Sequence, residues 1–117
     1  VGTELVRSMQ TAFGTKAEDL IAATGPCICF DCFEVGAEIG RRFAEEFRSE
    51  ELVKPGKPGK AYVDIRAAIE KQLEECGILP QNISAMPLCT FERSDLFYSY
   101  RRDRTKTGAM VSVLKLI

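Results

Sequence analysis

Between Thr3 and Phe13 the apolar residues Leu5, Val6, Met9, Ala12 and Phe13 recur at helical intervals, with Thr3 placed to cap the helix and Gly14 to stop it. Leu20 to Ala23 is a short apolar run closed by Gly25-Pro26, which predicts a buried strand. Val35, Ile39, Phe43 and Phe47 return every fourth residue with charges between them. That pattern predicts an amphipathic helix over 35–47, even though Gly36 and Gly40 each cost roughly 1 kcal/mol relative to alanine. Glycine on such a helix also permits close approach of a neighbouring backbone. Two copies of Lys-Pro-Gly between Lys54 and Lys60 predict an exposed loop, since proline and glycine together exclude a helix or a central strand.

Ala61-Tyr62-Val63 reads as a strand entering a helix capped by Asp64. Ile65, Ala68, Ile69, Leu73 and Cys76 form the buried stripe of that helix, and Gly77 is its stop. Ile83 to Met86 predicts a weak strand, and the apolar tail Met110 to Ile117 a final one. Phe97 to Arg101 reads as a further strand, with Tyr98 and Tyr100 on one face and Phe97, Ser99 and Arg101 on the other. Helices alternating with short strands define a mixed α/β (α+β) chain. In the expected arrangement, strands 20–23, 83–86 and 110–117 share one sheet. The helices at 35–47 and 64–76 cover it and bury Phe43, Phe47, Ile69 and Leu73. Because the strands are few and short, a complete sheet would draw on strands beyond these.

Composition sharpens the picture by exclusion. With 45% hydrophobic and 28% charged residues, the 117-residue chain has the make-up of a globular domain. Sixteen basic against seventeen acidic residues leave a net charge of −1, which gives no field to attract nucleic acid or an anionic membrane. No apolar run approaches the roughly 18 residues of a membrane-spanning helix, and the first residues lack the shape of a signal peptide. There is no histidine at all. Ser-His-Asp and Cys-His catalysis, histidine-ligated metal and the usual near-neutral proton shuttle are therefore outside this chain's own means.

Five cysteines stand at 27, 29, 32, 76 and 89. Their odd number and wide spacing argue against a disulfide framework and for reduced thiols in a cytoplasmic setting. Cys29-Phe30-Asp31-Cys32 is a CxxC, open to a zinc or redox reading, while free cysteine also packs as a small hydrophobe. Cys76 and Cys89 do not supply a second CxxC, and Cys27, Cys29 and Cys32 are the sole compact set in sequence. On that ground the expectation is that the chain holds no metal of its own. The other chemical segment is Phe91 to Gly108, where Phe97, Tyr98 and Tyr100 precede Arg101, Arg102, Arg104 and Lys106. Guanidinium forks suit phosphate or carboxylate, so this is either an anion site or an exposed basic turn. The lysines of the Lys-Pro-Gly repeat lack interleaved aromatics and read as a solvated loop tip.

Gly25-Pro26-Cys27-Ile28, Cys32-Phe33-Glu34-Val35-Gly36, Tyr62-Val63-Asp64-Ile65, Gln72-Leu73, Cys89-Thr90, Phe97-Tyr98-Ser99-Tyr100-Arg101-Arg102-Asp103 and Thr107-Gly108 occur in a shared order. In these motifs the chain resembles the YfiH-type laccase-domain family, from near residue 17 to the end. Two positions depart from the family pattern: Ile69 stands where asparagine is common, and Ala109 where arginine is. The family is described under two activities, polyphenol oxidase and purine nucleoside phosphorylase with adenosine deaminase activity. The resemblance implies a layered α/β/β/α fold of which residues 1–117 form the C-terminal part of a single domain. It places the zinc- or copper-binding cysteine and histidines in an upstream half that this sequence does not match.

The implied substrates are a purine nucleoside and phosphate, with a homo-oligomer as an open expectation. On this reading Arg101 and Arg102 face the anion and Tyr100 is a wall or hydrogen-bond donor, while Cys27, Cys32 and Cys89 are secondary candidates near the pocket. Two rival readings stand beside it. One is a non-catalytic fragment or module whose arginines bind an anionic partner, and the other is a cysteine hydrolase or thiol enzyme built on the Cys27–Cys32 cluster.

Overall fold

The computed structural model describes residues 2–115. Its first helix, α1 (Gly2–Phe13), ends at Gly14, whose φ of 64° is the left-handed turn that glycine takes without strain. β1 (Ala22–Thr24) follows, then a loop, and then β2 (Glu34–Gly36) leads directly into α2 (Ala37–Phe47). β3 (Val53–Pro55) and β4 (Lys60–Val63) form a hairpin. Asp64 caps α3 (Ile65–Glu75), its Oδ1 accepting from the Ala67 N–H at 3.0 Å. β5 (Ile83–Ala85) and the single-turn α4 (Tyr100–Asp103) complete the elements.

The strands form two sheets, not one. β1 and β5 pair in parallel, with Ala22 opposite Ile83 and Thr24 opposite Ala85. β2, β4 and β3 form an antiparallel sheet in that order. α2 lies on the antiparallel sheet, while α3 packs against α1 and β5. Val6 of α1, Leu73 of α3 and Ile78 are buried together, with Leu20, Ala22, Cys76 and Ile83 packed around them. On the other side Ala44, Leu52, Ala61 and Val63 are buried.

Several sequence expectations are corrected. Val35 belongs to β2, opposite Ala61, because the backbone of 34–36 is taken up by pairing with β4; α2 starts only at Ala37. The first Lys-Pro pair lies in β3, where Pro55 is tolerated because β3 is the edge of its sheet, so the loop shrinks to 56–59. Residues 97–99 form no strand, since the Ser99 side chain caps α4 by accepting from the Arg102 N–H. The tail from Met110 to Lys115 forms no strand either and is exposed, with Val111 at 86% and Leu114 at 97%; its last two residues lie outside the described ones. Of the four side chains expected in the core, Leu73 is buried. Phe43 and Phe47 are half-buried against each other, with ring centroids 4.6 Å apart, and Ile69 is exposed.

Candidate functional site

β1 and β5 run in the same direction, so the chain leaves both at one end of the pair, the end at which parallel sheets commonly carry their sites. Two loops emerge there, residues 25–33 and 86–99, and they stay joined beyond the strands. The Met86 N–H donates to the Thr24 carbonyl and the Thr90 N–H to the Cys27 carbonyl, each at 3.1 Å. Cys27 and Cys89 form an isolated parallel bridge.

Within this junction each loop makes a tight turn. The amides of Cys32 and Phe33 both donate to the Cys29 carbonyl, at 3.1 and 3.0 Å, and the Arg93 amide donates to the Cys89 carbonyl at 3.0 Å. The Cys29 N–H reaches across to the Cys89 sulfur at 3.3 Å, and Cys32 Sγ lies 3.6 Å from Glu92 Oε1. The ligand atoms of Cys29, Cys32, Cys89 and Glu92 all lie within 4.8 Å of one another. Cys76 instead packs in the α1–α3 core, and Cys27 serves the bridge. Of the three cysteines adjacent in sequence, only two belong to the spatial cluster. Cys89 and Glu92 supply the partners that the expectation of no metal site assumed to be missing. The overlooked signal is a Cys-x-x-Glu frame at 89–92 repeating the Cys-x-x-Cys frame at 29–32.

The three thiols do not share one acidity. Burial pushes Cys29 up, reinforced by the neighbouring Cys89 thiol. Burial, then the Cys29 and Cys89 thiols, push Cys32 far above the ordinary range. Burial also opposes ionisation of Cys89, but backbone N–H donors, led by that of Cys29, outweigh it and hold this thiol below its ordinary value. The most acidic sulfur is thus on the buried residue, at 5% exposure, and no imidazole exists in the chain to serve it as a base.

Arg102 is occupied by the protein. Its Nε and one Nη2 bond go to the Asp103 carboxylate, Nη1 donates to the carbonyls of Thr90 and Phe91, and Nη2 also donates to that of Phe97, all at 2.8 Å. These five bonds match the five N–H donors of a guanidinium, leaving none for an anion. The expected anion-facing role of Arg102 therefore gives way to a positioning one: the side chain pins the loop that follows Cys89. Arg101 is different. It is exposed, donates one bond to the Glu34 carbonyl at 2.9 Å and sits 5.1 Å above the Phe33 ring, and its other donors have no protein partner among the described residues. Tyr100 beside it is 66% exposed. A cleft of about 410 Å³ opens nearby, lined by Ser94, Phe97, Tyr98, Arg102, Asp103 and Lys106 among others. Gly108 packs against Tyr98 so closely that a Cβ would meet the ring at 2.7 Å.

The Lys-Pro-Gly segment also reaches the site, contrary to a purely solvated tip. Lys54 pairs with Asp31 in the first turn, with its Nζ 4.6 Å from the centroid of the Phe30 ring.

A mixed α/β chain with thiols and arginines gathered at the open end of a parallel strand pair is the class of protein that these features define. The family described as multi-copper polyphenol oxidoreductase laccase matches residues 1–117, and the chain belongs to this YfiH-type laccase-domain family. It is 31% identical over 106 residues to a purine nucleoside phosphorylase of Bacteroides thetaiotaomicron, covering 89% of this chain and 39% of that protein. It is 34% identical over 109 residues to the purine nucleoside phosphorylase YfiH of Shigella flexneri, covering 92% and 43%. The crystal structure of YlmD from Geobacillus stearothermophilus superposes with a TM-score of 0.82 at 27% identity, covering 92% of this chain and 40% of that one. The chain thus spans about two fifths of the length of the curated relatives it matches. The copper in the family's description does not fit the donors present here. Multi-copper centres draw on imidazole, this chain has none, and its one gathered donor set among the described residues is three thiols and a carboxylate.

Proposed function

We propose that this chain is the C-terminal part of a single laccase-type domain and serves the phosphorolysis of purine nucleosides in the cytoplasm. The observation that carries the reading is Arg101, an exposed guanidinium held between the Glu34 carbonyl and the Phe33 ring, with donors to spare. The names of the phosphorylase relatives support it. In phosphorolysis a phosphate oxygen attacks the anomeric carbon of ribose as the purine leaves. The reaction needs a cation that holds the incoming anion in line and bears its charge without reorganising. Arg101 takes that role, and Tyr100 offers an aromatic face beside it. Arg102 acts through the backbone, fixing the segment on which Arg101 and Tyr100 stand. Zinc or copper bound by histidine would come from the remainder of a family-length protein.

The test is a turnover assay with inosine or adenosine and phosphate on the protein in its full reading frame. Arg101→Ala is expected to raise KM for phosphate roughly 10- to 100-fold, the worth of one or two charge-assisted hydrogen bonds, with an unchanged melting temperature. An unaltered phosphate KM would remove Arg101 from the site.

A further inference from the structure

Cys29-Phe30-Asp31-Cys32 and Cys89-Thr90-Phe91-Glu92 are two ligand frames of equal spacing, facing each other across the Cys27–Cys89 bridge. In each, amides three or four residues on close the turn on the carbonyl of the leading cysteine, so the ligand pairs are held by backbone before any ion arrives. Four donors within 4.8 Å of one another are close to what a tetrahedral ion requires. A Zn–S distance of about 2.3 Å sets neighbouring sulfurs about 3.8 Å apart, so closure asks for a contraction of at most about 1 Å. Magnesium and calcium want all-oxygen shells, whereas three thiolates and one carboxylate oxygen suit a soft-to-borderline ion.

We infer that Cys29, Cys32, Cys89 and Glu92 form a four-ligand zinc site that clamps the 25–33 loop to the 86–103 segment. On binding, up to three thiol protons leave to solvent as Zn–S bonds form, with no change of oxidation state. The loaded site carries a net charge of −2. Arg66 of α3 donates to the carbonyl of Leu88, next to Cys89, with its own buried Nε lacking a protein partner among the described residues. Glu92 is the exposed ligand and so the one that exchanges. The clamp would stiffen the same segment that Arg102 pins, from its opposite end.

The experiment uses the protein in its full reading frame, purified under reducing conditions, with metal per chain measured by elemental analysis after dialysis against zinc. Cys29→Ser and Cys89→Ser are each expected to hold one equivalent less than wild type, and Cys27→Ser the same as wild type. Glu92→Gln should weaken zinc by roughly tenfold or more, and Glu92→Cys should tighten it. Cobalt titration of the unaltered protein is read independently of any variant's folding, and should develop an intense thiolate-to-cobalt charge-transfer band. Equal metal in Cys29→Ser and Cys27→Ser, or cobalt uptake without that band, overturns the site. So does a reduced protein that takes up no metal and forms a Cys29–Cys32 disulfide in air instead. None of these readouts involves a nucleoside, so they stand or fall apart from phosphorolysis.

Discussion

The backbone N–H of Cys29 donates to the sulfur of Cys89 across 3.3 Å, joining residues 60 apart in the chain. An amide aimed at a sulfur favours its thiolate, and this one belongs to the turn that also presents Cys32. The contact therefore fixes the two loops relative to each other. Arg102, thirteen residues beyond Cys89, holds the second of these loops to itself, through carbonyls of Thr90, Phe91 and Phe97.

Arg102→Lys should be far from conservative. Lysine has three donors in place of a planar fork of five, so at least two of the present five bonds are lost. Those partners sit around a side chain that is only 22% exposed. The expected cost is about 2–3 kcal/mol in urea unfolding, against under about 0.5 kcal/mol for Arg101→Ala. Equal urea midpoints for the two variants would refute the assigned roles.

Asp103 gives the site an acid limit. Hydrogen bonds from Arg102 hold its carboxyl below the usual carboxylate range, with a further one from the Ser99 N–H. Its folded pKa is thus lower than its unfolded one, and the unfolded chain takes up the proton first. The stabilisation is present in full above the unfolded value of about 3.9 and is lost as pH falls through the lowered folded value. Urea midpoints of wild type should fall more steeply below about pH 4 than those of Asp103→Asn. Parallel profiles would show that Asp103 does not contribute this dependence.

Where one element decides its own shape, the sequence was legible. Asp64 and Gly77 bound α3 as capping chemistry requires, and Gly14 stops α1. Where pairing partners decide, it was not. Val35 fits the four-residue period of α2 yet is drawn into β2 by β4, and Ser99 abandons an alternating strand pattern to cap α4. The split into two sheets depends on which helix covers which strands, and local periodicity does not encode that. At the site, the basic and aromatic run of 97–102 was visible, but the difference between its arginines was not. Arg101 and Arg102 are chemically identical, and only the surrounding carbonyls separate them.

Gly40 marks a close approach of α2 to the β3–β4 hairpin. A Cβ there would lie 2.7 Å from the Ala61 Cβ and 3.3 Å from Val53 Cγ1. Gly40→Ala gains about 1 kcal/mol of helix propensity but must push a buried strand aside, at a cost of about 1–3 kcal/mol. A net loss of about 1 kcal/mol is expected, and Ala61→Gly in the same chain should relieve part of it. Thermal or urea unfolding of both variants and the double measures the coupling; strict additivity would mean that the two residues do not collide.

Asp64→Ala removes the acceptor for the Ala67 N–H at the start of α3. A loss of about 1 kcal/mol is expected, with Asp64→Asn or Asp64→Ser retaining most of it. Indistinguishable unfolding midpoints for Asp64→Ala and wild type would show that the cap contributes nothing.

The parallel pair of β1 and β5 has a consequence for how the protein behaves in solution. Among the described residues the two strands pair only with each other, so each turns one row of N–H and C=O groups outward. Such rows are templates for a further strand. In deuterated solvent the outward amides of 22–24 and 83–85 would exchange quickly, while the inward ones lag behind. As concentration rises the same rows offer a seam along which copies can join edge to edge, so monodispersity will depend on whatever strand comes to lie against them.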